Sequence, residues 1–224
     1  MLNIFRNLDW SVLTDVLYAV IPAIICVTLH ELAHGYTAYK LGDPTAKRMG
    51  RLTLNPLKHI DIFGFLMMIV FKFGWAKPVP VDMRYFKNPK RGMAITAIAG
   101  PGMNLVIGIV ALFLYGFLTP FLYGSSFGSA VLEIVFMTSY ISIALMIFNI
   151  IPIPPLDGSK VLFSLASNDL YWKLMRYERY GMIILFLLVA SGVLGTPLGR
   201  AVRFVFDKLS FFYYAGFDLS GKFI

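Results

Sequence analysis

The chain has 224 residues, 58% hydrophobic and only 14% charged, with a mean hydropathy of +0.73. Soluble domains run nearer ~25% charged, so this composition excludes an ordinary soluble enzyme and predicts a multi-pass membrane protein. The net charge of +8 does not point to nucleic acid, because the lysines and arginines bracket the apolar runs, and a single cysteine excludes an internal disulfide.

At the N-terminus Arg6, Asp9 and Asp15 precede or interrupt the apolar stretch, and no small-residue cleavage site follows it, so a removable leader is not expected. The first span runs from about Trp10 to Leu41 and stops at Gly42, Asp43 and Pro44. Inside it, residues 30–34 read His-Glu-Leu-Ala-His. Residues four apart share a helix face, so His30 and His34 aim two imidazoles at one point while Glu31 flanks it, the beginning of a hydrolytic zinc centre. Ionisable side chains at membrane depth are costly and mark functional sites. Cys26 lies on the same face; a small buried hydrophobe is its more economical reading than a soft ligand.

Gly50 to Leu54 alternates apolar and polar residues before Asn55-Pro56, the pattern of a short edge strand. Ile60 to Trp75 is apolar but broken by Gly64, Lys72 and Gly74; its longest run, Phe65 to Phe71, is too short to cross, which predicts a re-entrant element. Lys77-Pro-Val-Pro-Val81 must be extended. A second span covers about Met93 to Leu118, with the small residues Ala99, Gly100 and Gly102 near Asn104, and a third covers about Ala130 to Ile151. The third ends in Asn149-Ile-Ile-Pro-Ile-Pro-Pro-Leu-Asp-Gly158, whose three prolines cannot continue a helix. Irregular backbone at that depth is tolerated where it lines a protected or wet cavity. A fourth span is expected at about Met182 to Leu194, and the tail after Gly195 reads as a last span or an interfacial helix. The expected fold is therefore all-α: one membrane domain over residues 1–224 with about 4–6 membrane segments, a re-entrant element and short edge strands on the cytoplasmic side. Its catalytic core spans about residues 10–160, followed by C-terminal membrane helices at about 177–215.

Charge asymmetry orients this layout. Lys40, Lys47, Arg48, Arg51 and Lys58 form one basic segment, Lys77, Arg84, Lys87, Lys90 and Arg91 a second, and Lys160, Lys173, Arg176 and Arg179 a third, whereas Thr119 to Ala130 has no cation. The positive-inside rule makes the basic segments cytoplasmic and places His30 and His34 toward that side. A catalytic zinc takes three protein ligands and keeps a water position. Of Cys26, His59, Glu133 and Asp157, His59 reads as a surface histidine beside Lys58 and Glu133 starts the third span at the far side. Asp157 ends that span at the depth of the histidines and is the expected third ligand. Glu31 is too close along the helix to ligate with them and is the expected general base, with Asn149 and Asn104 as candidate oxyanion or substrate donors.

These residues resemble the site-2 protease family of intramembrane zinc metalloproteases, peptidase family M50. The matching motifs are His30-Glu31 with His34, Gly100-Pro101 ahead of Asn104, and Asn149 through Pro152, Pro154, Leu156, Asp157 and Gly158. The resemblance implies one zinc ion per chain on His30, His34 and Asp157, Glu31 as base, and a transmembrane segment of another protein as substrate. The layout resembles the small members without PDZ or CBS domains. A helical substrate must unwind to be cut, and Leu52, Thr53 and Leu54, with Val79 to Val81 as a second edge, are expected to receive it as an added strand. The competing expectations are a membrane zinc carrier or sensor and an inactive client-binding homologue. Beyond the substrate, the only partner expected is the lipid bilayer, with no nucleic acid.

Overall fold

The computed structural model describes residues 10–71 and 74–223, so Arg6, Asp9 and the Lys72 break lie outside the described residues. Three long helices dominate: α1 (Trp10–Lys40), α4 (Pro89–Leu122) and α5 (Ser126–Ile150). Shorter ones are α2 (Thr45–Arg48), α3 (Ile62–Phe71), α6 (Asp157–Ser164), α7 (Asn168–Tyr177), α8 (Gly181–Ala190) and α9 (Gly195–Ser220). The long helices begin where the sequence supplies caps. Asn88 Oδ1 accepts from Arg91 N–H with Pro89 in the first turn of α4, and Ser125 Oγ accepts from Gly128 N–H at the start of α5.

Val16–Lys40, Pro89–Leu122 and Ser126–Ile150 are long and apolar enough to cross a membrane. The expected fourth span is different. Residues 181–190 form a helix of only 10 residues, about 15 Å at 1.5 Å per residue, and α9 leaves it at 88°. The described residues thus hold three candidate spans, below the expected range, or four if this bent pair is one span, its lower limit. Hydropathy could not reveal the corner, because α8 is apolar throughout while α9 carries Arg200, Arg203, Asp207 and Lys208.

α9 is held to the bundle by shape. Leu112 of α4, Ile143 of α5 and Val202 of α9 form a buried cluster, with Leu198, Val205, Phe206 and Leu209 packed around it. Nearer the end of α4, Gly116 faces Gly216 reciprocally: a Cβ on Gly116 would strike the Tyr213 carbonyl, and one on Gly216 the Phe113 carbonyl. Backbone meets backbone there, as close helix crossings between small residues allow.

Between α1 and α4 the chain folds into loops and short helices. Its residues 50–54 run from a turn at Gly50 into bends at 52–54 and do not form the expected edge strand, and among the described residues no strand forms; one antiparallel bridge joins Ile60 to Ala76. Arg51 is buried, and its Nη2 donates to the carbonyls of Lys77 (2.7 Å) and Pro78 (3.3 Å). His59 is likewise no surface residue: it is fully buried, with Nε2 2.9 Å from the Thr53 carbonyl. These side chains satisfy the backbone that a neighbouring strand would have paired. The Ile60–Ala76 bridge and the bond from Lys77 N–H to His59 O (2.9 Å) bring both ends of the α3 segment together. Its 10 residues span about 15 Å, and the chain comes back to where the segment began.

Candidate metal centre

His30 and His34 stand one turn apart on α1 and both are buried. α4 lies against them through a row four residues apart. His34 Nδ1 is 2.7 Å from the Thr96 carbonyl, His30 Nδ1 is 3.1 Å from Asn104 Nδ2, and Gly100 sits between. Gly100 has no side chain because there is no room for one: an added Cβ would land on His34 Nε2 and 2.6 Å from His30 Cε1. With both Nδ1 atoms occupied, the Nε2 atoms are left to face one another, that of His34 lying against Gly100.

Both also face Asp157. α5 ends at Ile150, Pro152 and Pro154-Pro155 carry the chain round, and Asp157 opens α6 in its first turn. Asp157 Oδ2 lies 3.2 Å from His30 Nε2 and 3.1 Å from His34 Nε2, and the two Nε2 atoms are 3.0 Å apart. Lys160 Nζ stands 3.9 Å from Asp157 Oδ1 and 4.0 Å from Glu178 Oε1. Burial opposes ionisation of Asp157, yet the imidazoles facing it and Lys160 outweigh burial and hold its carboxyl below the usual carboxylate range.

The donor set calls for a cation. The Thr96 carbonyl can only accept, so His34 Nδ1 carries hydrogen and a neutral His34 presents its Nε2 lone pair to the cluster. Two imidazole nitrogens and a carboxylate oxygen this close repel one another unless a proton or metal ion lies among them, and two His with one Asp is a zinc donor set. Asn104 fits the same conclusion. It is fully buried and its Oδ1 has no partner; exchanging the ends of its amide pairs Oδ1 with His30 Nδ1–H and leaves Nε2 free to ligate. Among the described residues, His30, His34 and Asp157 form the one group of this kind.

The remaining candidates lie elsewhere. Cys26 is buried against α5, with Sγ 3.5 Å from the Thr138 carbonyl. His59 serves the loop, and Glu133 is exposed near the opposite end of α5 from Asp157. Asn149 Nδ2 turns back to the Leu145 carbonyl (2.9 Å). Leu52 packs over Gly35 of α1, and Leu54 is exposed. Glu31, half-buried, projects beside the histidines, and its Oε2 accepts from Val79 N–H at 2.8 Å.

Sequence reasoning missed the two main-chain groups, Thr96 C=O and Val79 N–H, since no side-chain pattern encodes them. It also read the residues around Gly100 only as a place of close helix approach. The available signal was the row Thr96, Gly100, Asn104, Gly108, small or polar at every fourth position of an apolar helix.

Residues 119–191 match peptidase family M50, a stretch that contains Asp157 but not the histidines. The relatives extend over most of the chain. "Putative zinc metalloprotease YwhC" of Bacillus subtilis is 40% identical over 189 residues, 83% of this chain and 83% of that protein. "Putative zinc metalloprotease Rip2" of Mycolicibacterium smegmatis is 27% identical over 188 residues, 82% of this chain and 71% of that protein. "Zinc metalloprotease MJ0392" of Methanocaldococcus jannaschii is 28% identical over 168 residues, 75% of this chain and 38% of that protein. No solved structure matches.

Proposed function

The chain belongs to peptidase family M50, and on that premise we propose that it is an intramembrane zinc endopeptidase that cuts membrane-spanning segments of other proteins near the cytoplasmic face of the cell membrane. The observation that carries the reading is the convergence of His30 Nε2, His34 Nε2 and Asp157 Oδ2 within 4.8 Å of one another, with Glu31 beside them. These three residues would hold one zinc ion. Bound there, zinc supplies a water acidified toward a pKa of ~7 and polarisation of the scissile carbonyl.

The chain's own residues do the rest. Glu31 accepts the proton of the attacking water and passes it to the leaving amine. Thr96 and Asn104 fix the ring planes of His34 and His30 from behind, so the role that fits Asn104 is orienting a ligand; Asn149 is the remaining candidate for holding the oxyanion or the substrate backbone, after turning from Leu145. The backbone N–H groups of Leu52, Thr53 and Leu54 have no partner among the described residues, whereas Lys77 to Val79 are already bonded to His59, Arg51 and Glu31. Although bent and not a strand, residues 52–54 carry the unpaired N–H groups with which an unwound substrate can pair as at an open edge, and Leu54→Pro should abolish cleavage with zinc content intact. Full activity in that variant would remove the edge from the mechanism. The basic segments support a site on the cytoplasmic side of the membrane. Glu31 favours hydrolysis over zinc carriage or mere client binding, neither of which requires a base.

The test is metal analysis of the purified protein, followed by incubation with a panel of single-span substrates, comparing the natural chain with Glu31→Gln. The expected outcome is about one zinc per chain in both and cleavage at least ~100-fold slower in the variant. Equal cleavage, or cleavage that survives zinc removal, refutes the proposal.

A further inference from the structure

Residues 77–82 pass directly over Glu31, and the way they are held is unusual. Pro78 and Pro80 have no N–H and fix their own φ, so the arm is stiff and offers a single donor between them, Val79 N–H. That donor bonds Glu31 Oε2 at 2.8 Å. The arm is clamped on both sides of it. Before it, Lys77 N–H donates to His59 O, and Arg51 Nη2 reaches the carbonyls of Lys77 and Pro78. After it, Asp82 N–H donates to Asp43 Oδ2 at 2.7 Å. The Val79 side chain is buried over Gly35, which stops the arm from rolling.

Arg51 and Asp43 are buried, charged and, among the described residues, without an ion-pair partner. Burying charge this way is expensive unless main-chain groups take up its hydrogen bonds. Here both charges bond the same arm, one on each side of Val79. Among the described residues, one oxygen of Glu31 is tied and the other has no partner.

We infer that residues 77–82 are a base-orienting arm: Val79 N–H sets the Glu31 carboxylate, and Arg51 is a positioning residue that holds the arm in register although it touches neither metal ligand nor base. The inference rests on Glu31 being the base in the proposed reaction, but the contact itself exists without catalysis. A free glutamate samples many rotamers, while a tied one keeps Oε1 aimed for proton transfer. Misplacing a reacting group by about 1 Å costs roughly a hundredfold.

Hydrogen exchange read by mass spectrometry tests the contact directly, because residues 77–81 contain only three backbone N–H groups, those of Lys77, Val79 and Val81. Glu31→Ala should speed exchange of one amide in this segment at least tenfold, while His30→Ala, which removes a ligand, should leave it slow. Unchanged exchange in Glu31→Ala overturns the inference. Arg51→Gln should free the same amide and lower kcat at least tenfold, with KM and zinc content held, and Arg51→Lys, still able to donate to both carbonyls, should recover most of the loss. A loss confined to KM, or wild-type kcat in Arg51→Gln, also overturns it. If the natural chain cleaves no substrate while Glu31→Ala still frees the amide, the arm stands and the protease reading fails.

Discussion

One row of buried residues on α4, Thr96, Gly100, Asn104, Gly108, Leu112 and Gly116, does two different jobs. Its first half faces the imidazoles of α1, and its second half faces α5 and α9. Spacing by four is the same throughout, the ridge along which helices pack. What differs is the partner. Gly100 leaves room for ligand rings, while Gly108 accommodates Ile143 and Gly116 accommodates the backbone of α9. Hydrogen bonds to the imidazole and amide side chains mark the first half; in the second, Ser139 Oγ donates to the Gly108 carbonyl at 3.0 Å, Leu112 packs in an apolar cluster and Gly116 meets the backbone of α9. A small residue in a membrane helix is thus no guide to function until its neighbour is known.

The contrast can be broken by substitution, and the largest effect belongs to the first half. Gly100→Ala should collide with both imidazoles and weaken zinc binding by more than ~100-fold, with cleavage lost in parallel; zinc titration against a chelator measures it. Wild-type affinity would show that the rings have room to move and that the two halves are alike. Asn104→Ala keeps the space and removes only the partner of His30 Nδ1, so a smaller loss of about 10–100-fold in zinc affinity is expected. In the second half Gly116→Ala should push α9 away and cost about 1–3 kcal/mol of stability, seen as a lower Tm in detergent. Zinc per folded chain should not change, and a parallel loss of zinc would join the two halves into one unit.

How far these roles were legible depended on where the relevant partner lay. The three long spans were readable because each is a continuous apolar run closed by a cap or a proline, and Lys77 to Val81 because proline restricts the backbone locally. His30 and His34 share one helical face, so their convergence needs no knowledge of the rest of the chain. Asp157 required one step more, the depth at which its span ends. The edge strand at residues 50–54 and the surface reading of His59 failed for the opposite reason: alternation suggested the first and the neighbouring Lys58 the second, but the groups that decided the matter were carbonyls elsewhere in the loop. The 88° corner between α8 and α9 failed similarly, since an apolar run reports length and not direction.

Local order along the chain was enough to single out a two-histidine motif in an apolar helix, the carboxylate of Asp157 as its companion and Glu31 beside the first histidine. Periodicity and charge asymmetry are short-range or one-dimensional properties, and these features need nothing else. Folding alone decided which main-chain atoms stand behind the imidazoles, that Gly100 must lack a Cβ, that Val79 N–H meets Glu31, and that α9 docks on α4 and α5. Each of those is a distance between segments far apart in sequence, and backbone atoms, being common to every residue type, leave no mark on composition from which such a distance could be read.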